Sequence, residues 1–572
     1  MAQGSRGLAL VVAALAAATG FPALAGPAAK FDWFDYSGAD AVNAAAPVGP
    51  GQYRNPILTG FYPDPSLTRV GDDYYLVTST FAYFPGLPIF HSRDLVNWTQ
   101  IGNAIDRPSQ LKFDGLGLSR AVFAPTISER DGVFYILNTC VDCGGNFMIT
   151  AEDPKGPWSD PVWLPFEGID PSFFFDDDGR AWILNNGAPE GTPLYDGHRA
   201  IWIQEFDLAA KRMVGPRKVL VNGGVDISQK PIWIEGPHIF RRDGWYYLIC
   251  AEGGTSEQHS QVVLRSRSVT GPYEAWSGNP ILTQRGLPAD RPFPITSAGH
   301  ADFVETAAGE WWATFLATRP YAGDFYNTGR ETFLLPVRWV DGWPVMTEPG
   351  ATIPYVHARP RLPAQPAPAV PTNGDFRLRE EFDGADLGPH WMMLRNPKRR
   401  WYALDGGALT LEARNEALGA RANPSYLGRR QQHISASAAT RLQFTPAAEG
   451  DRAGMAVLQS DEHFYFIGLG REAGRTVVKV ERRAGANDPV HGVTLASAPV
   501  TAGQPIELRI EARGGRYDFA YAEAPGRWVT LLRDADGELL STKVAGGFVG
   551  ATIGMYAFSG QPEARPGHGA VR

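Results

Sequence analysis

Three carboxylates and a histidine recur in one register of this chain. Asp64, Phe123, Asp170, Glu235 and His300 each stand eight residues ahead of a turn that opens an apolar, aromatic-rich run. One acid at the start of a strand is ordinarily a turn cap. Three in the same register of repeated units call for chemistry, because radial repeats bring equivalent positions together on an axis. Two carboxylates on either side of a bond to a neutral sugar can divide the work of hydrolysis. One, ionised, activates water, and the other, protonated, gives its proton to the leaving oxygen. A third negative charge nearby raises the pKa of the acid by repulsion. The rival reading is a hard cation held by the carboxylates and the histidine. Against it, the charges come from different repeats and aromatic residues surround them. Phe81, Tyr83, Phe84, Phe123 and Trp233 are candidates for a pocket rim, and aromatic faces suit the apolar faces of sugar rings.

The elements that must position these groups are hairpins. Asp72-Asp73-Tyr74-Tyr75, Asp131-Gly132-Val133-Phe134, Asp178-Gly179-Arg180-Ala181-Trp182 and Asp243-Gly244-Trp245-Tyr246 share one pattern, with a degenerate fifth copy at Ala308-Gly309-Glu310-Trp311. Asp-Gly between two apolar runs is a strong hairpin signal. Five such units at roughly 50- to 65-residue spacing fall in the range of propeller repeats, and a five-bladed β-propeller leaves only short, protected sheet edges. Asp64 stands between Pro63 and Pro65. Each proline fixes its own φ and biases the residue before it towards extended backbone.

The 572 residues exceed one ordinary core, so two or more domains are expected. A 44% apolar and 12% aromatic composition with 64 Gly and 46 Pro suits a turn-rich β protein. The net charge of −8 and the lack of a long basic run argue against nucleic acid as a partner. Residues 1–25 read as a cleaved secretory signal: Arg6, an apolar stretch from Leu8 to Ala18 too short to span a bilayer, and Ala23-Leu24-Ala25 as the cleavage site. A secreted or periplasmic protein without a membrane partner is expected. Cys140 and Cys143 are expected as a loop disulfide or two free thiols, and Cys250 as a buried, apolar-like residue. The propeller is expected over residues 30–356 and a Pro-rich linker over 357–373. A β-sandwich is expected over 374–562, where short alternating runs such as Leu409-Thr410-Leu411-Glu412 are separated by turns.

At this point the chain resembles glycoside hydrolase family 43, in particular its two-domain β-xylosidases and α-L-arabinofuranosidases. The matching stretches are Tyr62-Pro63-Asp64-Pro65-Ser66, Phe84-Pro85-Gly86, His91 through Trp98, Gly168-Ile169-Asp170-Pro171-Ser172, Ile234-Glu235-Gly236-Pro237-His238 and Gly299-His300-Ala301-Asp302. In the C-terminal half, Ala545-Gly546-Gly547-Phe548-Val549-Gly550 joins them. The resemblance implies an all-β chain: a five-bladed propeller followed by a concanavalin- or jelly-roll-like sandwich. It implies an exo-acting hydrolase that releases xylose or arabinose from hemicellulose fragments with inversion. Asp64 would be the base, Glu235 the acid and Asp170 the residue that orients Glu235 and raises its pKa. Arg330 would bind sugar hydroxyls, Phe81 would line the pocket, and Phe548 would reach the pocket mouth from the sandwich. His300 matches an axial histidine near the propeller centre, where some members bind calcium, contacted through water; no cofactor is otherwise required. Phe123 stands where related enzymes often carry Trp, which bears on xylose against arabinofuranose. The stretches Asn185-Asn186-Gly187 and Tyr195 through Arg199 are further candidates for pocket contacts. Two other classes stay open. One is a retaining fructan-type propeller enzyme, which Ile169-Asp170-Pro171 and Glu235-Gly236-Pro237 fail to match. The other is a sugar-binding protein without activity, against which the three retained acids argue.

Overall fold

The computed structural model describes residues 27–561; the expected signal segment lies outside them. Five antiparallel sheets follow one another from residue 66 to residue 345. Their first strands are Ser66–Val70, Thr126–Arg130, Ile169–Phe175, Glu235–Arg242 and Thr296–Glu305, and these pack side by side around a common axis. Each runs into a hairpin where the sequence places one. The second and fourth turns have both central residues at positive φ, Asp131 (54°) with Gly132 (81°) and Asp243 (50°) with Gly244 (74°). That is the type I′ geometry which matches the twist of the paired strands. The third and fifth hairpins use longer loops, closing at Phe175↔Ala181 and Glu305↔Trp311.

One ring of hydrogen bonds closes the propeller through one register position of each blade and the backbone of the residues beside it. Ser66 Oγ donates to Asp302 Oδ2 (2.7 Å), and Asp302 Oδ1 lies 3.3 Å from His238 Nδ1. Ser172 Oγ donates to the Pro237 carbonyl (2.5 Å), and Thr126 Oγ1 to the Pro171 carbonyl (2.8 Å). The Ile127 amide completes the circuit to Ser66 Oγ (3.1 Å). The ring shows that Ser66, Thr126, Ser172, His238 and Asp302 are the equivalent residues. Two positions earlier stand Asp64, Ala124, Asp170, Gly236 and His300. Counting eight residues back from each turn therefore misses by one in the second and fourth blades. Phe123 and Glu235 stand one residue ahead of the shared register, because in those blades the count begins at the first residue of a two-residue turn (Asp131, Asp243), whereas in the first blade, whose turn is Gly71-Asp72, it begins at the second.

The segment before the first blade returns to the fifth. Gln52–Arg54 pairs with Val356–Ala358, and the Ile57 amide donates to the Thr332 carbonyl (2.9 Å). The expected start of the propeller at residue 30 is corrected here. Ala28–Gly38 is an inner strand of the C-terminal sandwich, paired with Ser435–Gln443 on one side and with Leu409–Glu412 and Phe376–Glu380 on the other. Phe31, Phe34 and Tyr36 of this strand are buried in the sandwich core. An apolar alternation specifies a strand but not the sheet it joins. The sandwich consists of this sheet and a six-stranded sheet from Ser425–Arg430 to Val493–Pro499 that also includes Thr552–Phe558. Trp391, Trp401, Met455, Ile467, Leu508 and Phe519 fill the space between them. Along Ile506–Arg513 buried residues alternate with half-exposed ones, as a half-buried sheet requires. Among the described residues no helix is long and apolar enough to cross a membrane. Cys140 and Cys143 form a disulfide, and Cys250 is a buried free thiol.

Candidate active site

The starts of the inner strands surround a cavity of about 410 Å³ that contains Asp64, Asp170, Glu235, His300 and Arg330. Each charged group is aimed there by local backbone geometry. Asp64, Asp170, Gly236 and His300 all have φ between 54° and 57°. Three of these are not glycine, and the left-handed region costs them energy that the surroundings must offset. Extended backbone at Asp64, expected from its flanking prolines, is not what forms. Ser79 Oγ donates to Asp64 Oδ2 (2.5 Å), the Ser79 amide donates to the Pro63 carbonyl, and Arg330 Nη1 donates to Asp64 Oδ1 (3.0 Å). These contacts fix the side chain and with it the backbone. Pairing slips between Ile169 and Ser172 and between Glu235 and His238. Such bulges re-aim a side chain at the rim of a sheet. Gly236 admits no substituent, since a Cβ there would stand 2.8 Å from the His300 ring.

The electrostatics separate the three carboxyls. Burial, then the negative charge of Asp170 and more weakly that of Asp64, push the Glu235 carboxyl up from 4.5 to about 8. It carries a proton at neutral pH. Asp170 Oδ2 accepts the Gly236 amide (3.2 Å) and lies 3.5 Å from His300 Nε2. Burial alone would lower the His300 pKa. The hydrogen bond that His300 donates to Asp170 and the negative charges of Asp64 and Asp170 outweigh it and raise the ring above its ordinary value. The site thus pairs imidazolium with Asp170 and guanidinium with Asp64, and leaves Glu235 neutral between them. This is the division of labour that general acid–base hydrolysis needs.

Arg330 follows Gly329, whose Cβ would stand 2.7 Å from Phe61 and 2.8 Å from Gly550 of the sandwich. The two domains touch at this point. Arg330 Nη1 also donates to Thr255 Oγ1 (3.0 Å). Its neighbour Glu331 is fully buried and bound to Arg319, which reaches Asp40 at 2.7 Å. Asp40 Oδ1 in turn accepts the Ile434 and Ser435 amides of the sandwich. Glu331 Oε1 accepts the Gly60 amide (2.8 Å), at the base of the segment that carries Asp64. A buried ion triad therefore ties the sandwich to both members of the Asp64–Arg330 pair.

Phe81, Phe123 and Phe548 form a triangle of rings on the pocket wall, with centroids 5.5–5.8 Å apart. The Phe548 amide donates to Ser119 Oγ (2.8 Å), which holds this sandwich residue against the propeller. Trp233, Asp196 and Gly197 also line the cavity. Phe84 does not reach it, nor does Tyr83. Both sit in a strand paired with Met393-Leu394 of the C-terminal half, and Tyr83 packs on Phe61 at 5.2 Å. Their place beside Phe81 in the sequence suggested the pocket, but the short strand turns them into the domain interface. His198 is likewise occupied elsewhere, bonded to the Leu194 amide and Asn222. Ser79, Thr255 and Ile232 are site residues that the sequence reading passed over; the polar run Thr78-Ser79-Thr80 at the end of an apolar strand was the available signal for the first. Among the described residues no three acidic, histidine or cysteine side chains gather to hold a metal. His300 and Asp170 engage each other, and both Asp302 oxygens are taken by Ser66, Leu67, Phe303 and His238. The donor set around His300 does not make a direct calcium site.

The profile described as Glycosyl hydrolases family 43 matches residues 53–344, and that of the Beta xylosidase C-terminal Concanavalin A-like domain matches 379–568. The chain belongs to glycosyl hydrolase family 43. A xylosidase/arabinosidase of Butyrivibrio fibrisolvens is 40% identical over 513 residues, covering 88% of this chain and 96% of that protein. A non-reducing end α-L-arabinofuranosidase of Bacteroides ovatus is 37% identical, covering 90% of this chain and 93% of the relative. A crystal structure of a family 43 enzyme from a capybara gut metagenome superposes with a TM-score of 0.86 at 40% identity, covering 93% of this chain and all of the other. As a family 43 protein the chain is a glycoside hydrolase with a propeller domain followed by a sandwich.

Proposed function

We propose that this family 43 enzyme removes terminal pentose units, xylose or arabinofuranose, from hemicellulose fragments with inversion. Asp64 takes the proton of the attacking water while Arg330 and Ser79 hold its carboxylate in place. Glu235 gives its proton to the leaving oxygen, and Asp170 orients the segment that carries Glu235 and keeps its pKa high. The observation that supports this reading is the coexistence of a neutral, buried Glu235 and a guanidinium-paired Asp64 in one pocket. A pocket walled on one side by Phe81, Phe123 and Phe548 suits attack at a chain end. Relatives named for xylosidase and for arabinofuranosidase activity support both pentoses. The test is a panel of aryl β-xyloside and α-arabinofuranoside substrates, with the product anomer followed by proton NMR. Turnover of neither pentoside, or release of the retained anomer, would overturn the proposal. The site of action proposed is outside the cytoplasm; the Cys140–Cys143 disulfide supports it, since such bonds persist in oxidising compartments. N-terminal sequencing of protein recovered from the periplasm or medium tests that part.

A further inference from the structure

Two loops, residues 188–199 and 223–233, build the mouth of the pocket on the side of Glu235. Large apolar side chains on them face solvent: Leu194 is 70% exposed, Ile232 47%, Ile227 38% and Trp233 37%. Apolar exposure gathered beside a ligand pocket marks a surface that is covered in use. The Ile232-Trp233 pair is nevertheless held firmly. The Ile232 carbonyl accepts the Gly253 amide (2.9 Å), and the Trp233 amide donates to the Gly197 carbonyl (2.9 Å). Tyr195 Oη donates to the carbonyls of Pro231 (2.9 Å) and Gly223 (3.1 Å) on either side of the loop. Trp233 has φ 59°, a conformation that costs an aromatic residue energy and persists at sites where it serves a purpose.

The indole is also backed. The Arg199 guanidinium lies 4.7 Å from its ring centroid. Nε and Nη2 of Arg199 donate to Asn186 Oδ1 (3.1 and 3.0 Å), and Asn186 Nδ2 donates to the Ile234 carbonyl (2.5 Å). A stacked and half-exposed ring is thereby locked to the segment that carries the acid, two residues ahead of it.

Glu235 protonates the leaving oxygen, so the sugar that departs must lie on this side of the mouth. We infer that Trp233, backed by Arg199 and flanked by Ile232, is a binding platform for the leaving part of the substrate, and that its ligand is a neutral chain of two or more pyranose units. The placement of the leaving side rests on the assignment of Glu235 as the acid. An indole face matches the C–H face of a pyranose ring, and its continuity with the pocket supplies the path from one sugar to the next.

The test is a ladder of substrates with chemically similar leaving groups: methyl β-xyloside, xylobiose and xylotetraose. Trp233→Ala should lose kcat/KM progressively along it, about tenfold on xylotetraose, the ratio expected for one aromatic contact. The loss should fall mainly in KM and be smallest on the methyl glycoside, and Trp233→Tyr should restore most of it. In the catalytically impaired Glu235→Gln protein, xylotetraose should quench tryptophan fluorescence, and the further change Trp233→Ala should remove that quench and weaken binding about tenfold. Equal losses along the ladder, or unchanged xylotetraose binding without the indole, would overturn the inference. Should the parent enzyme hydrolyse no pentoside, the proposed activity falls, while the fluorescence titration still decides the platform.

Discussion

Glu235→Gln keeps the shape of the side chain and removes the transferable proton, and the structure predicts two opposite consequences. The first concerns stability. Burial and Asp170 hold the Glu235 carboxyl at about 8 against an ordinary 4.5. Between those values the folded protein keeps a proton that the unfolded chain has released. The stability contributed by this group is therefore full below pH 4.5 and declines as pH rises to 8, by about 1.4 kcal/mol per unit. The accumulated cost at pH 8.5 is on the order of 5 kcal/mol. A glutamine does not titrate, so the variant should gain stability over the parent at pH 8.5 by a few kcal/mol and show little difference at pH 4.5. Melting temperatures of both proteins at the two pH values measure this. The second consequence concerns rate. In xylobiose the departing xylose is a poor leaving group, and this substrate should lose about 10²- to 10⁴-fold in kcat. A dinitrophenyl xyloside departs almost unaided and should lose much less. The alkaline limb of the parent rate profile, expected near pH 8, should flatten. Equal losses on the two substrates, or a stability difference that does not grow with pH, would refute the assignment of Glu235 as a protonated acid.

Asp170→Asn removes the largest charge that raises Glu235, so the alkaline limb of kcat/KM should move to lower pH; an unmoved limb would leave Asp170 with an orienting role alone. Phe548→Ala opens the ring triangle with Phe81 and Phe123 and should raise KM about tenfold with kcat little changed and the melting temperature preserved, as measured with an aryl glycoside. Arg319→Met leaves Glu331 and Asp40 buried without their cation and should cost about 3–5 kcal/mol, read as a fall of several degrees in melting temperature. An unchanged melting temperature would show that the triad does not hold the domains together.

The hairpins were legible because their signal is local. Asp131-Gly132 and Asp243-Gly244 specify a turn within four residues, and the apolar runs on either side specify the strands. The convergence of Asp64, Asp170, Glu235 and His300 was legible because repetition converts a local signal into a global one, whereas Arg330 lies outside the repeat and was indicated only by the family resemblance. What could not be read depends on which sheet a strand joins. Ala28–Gly38 carries a good strand pattern directly ahead of the propeller, yet its partners lie some hundreds of residues away, at Ser435–Gln443 and Leu409–Glu412. Tyr83 and Phe84 carry the same aromatic signal as Phe81 and end in the domain interface, because their short strand pairs with Met393-Leu394 whereas Phe81 bridges to Val122 within the propeller.

The one-residue displacement of Glu235 is the more instructive difference. Asp64, Asp170 and His300 occupy one register position, and in the fourth blade that position belongs to Gly236. A carboxylate at Gly236 would collide with His300, since even a Cβ there stands 2.8 Å from the ring. The acid instead comes from the preceding residue, which the Gly236-Pro237 bulge turns into the pocket. There its carboxyl is buried, and burial with the charge of Asp170 outweighs the lowering effect of His300 and Arg330 and keeps it protonated. Asp64, in the shared register, meets Arg330 and Ser79, the setting of the proposed base. The shared register alone does not make carboxylates alike, since Asp64 meets Arg330 and Ser79 while Asp170 meets His300 and the Gly236 amide; the displaced fourth blade adds a third, different environment for Glu235.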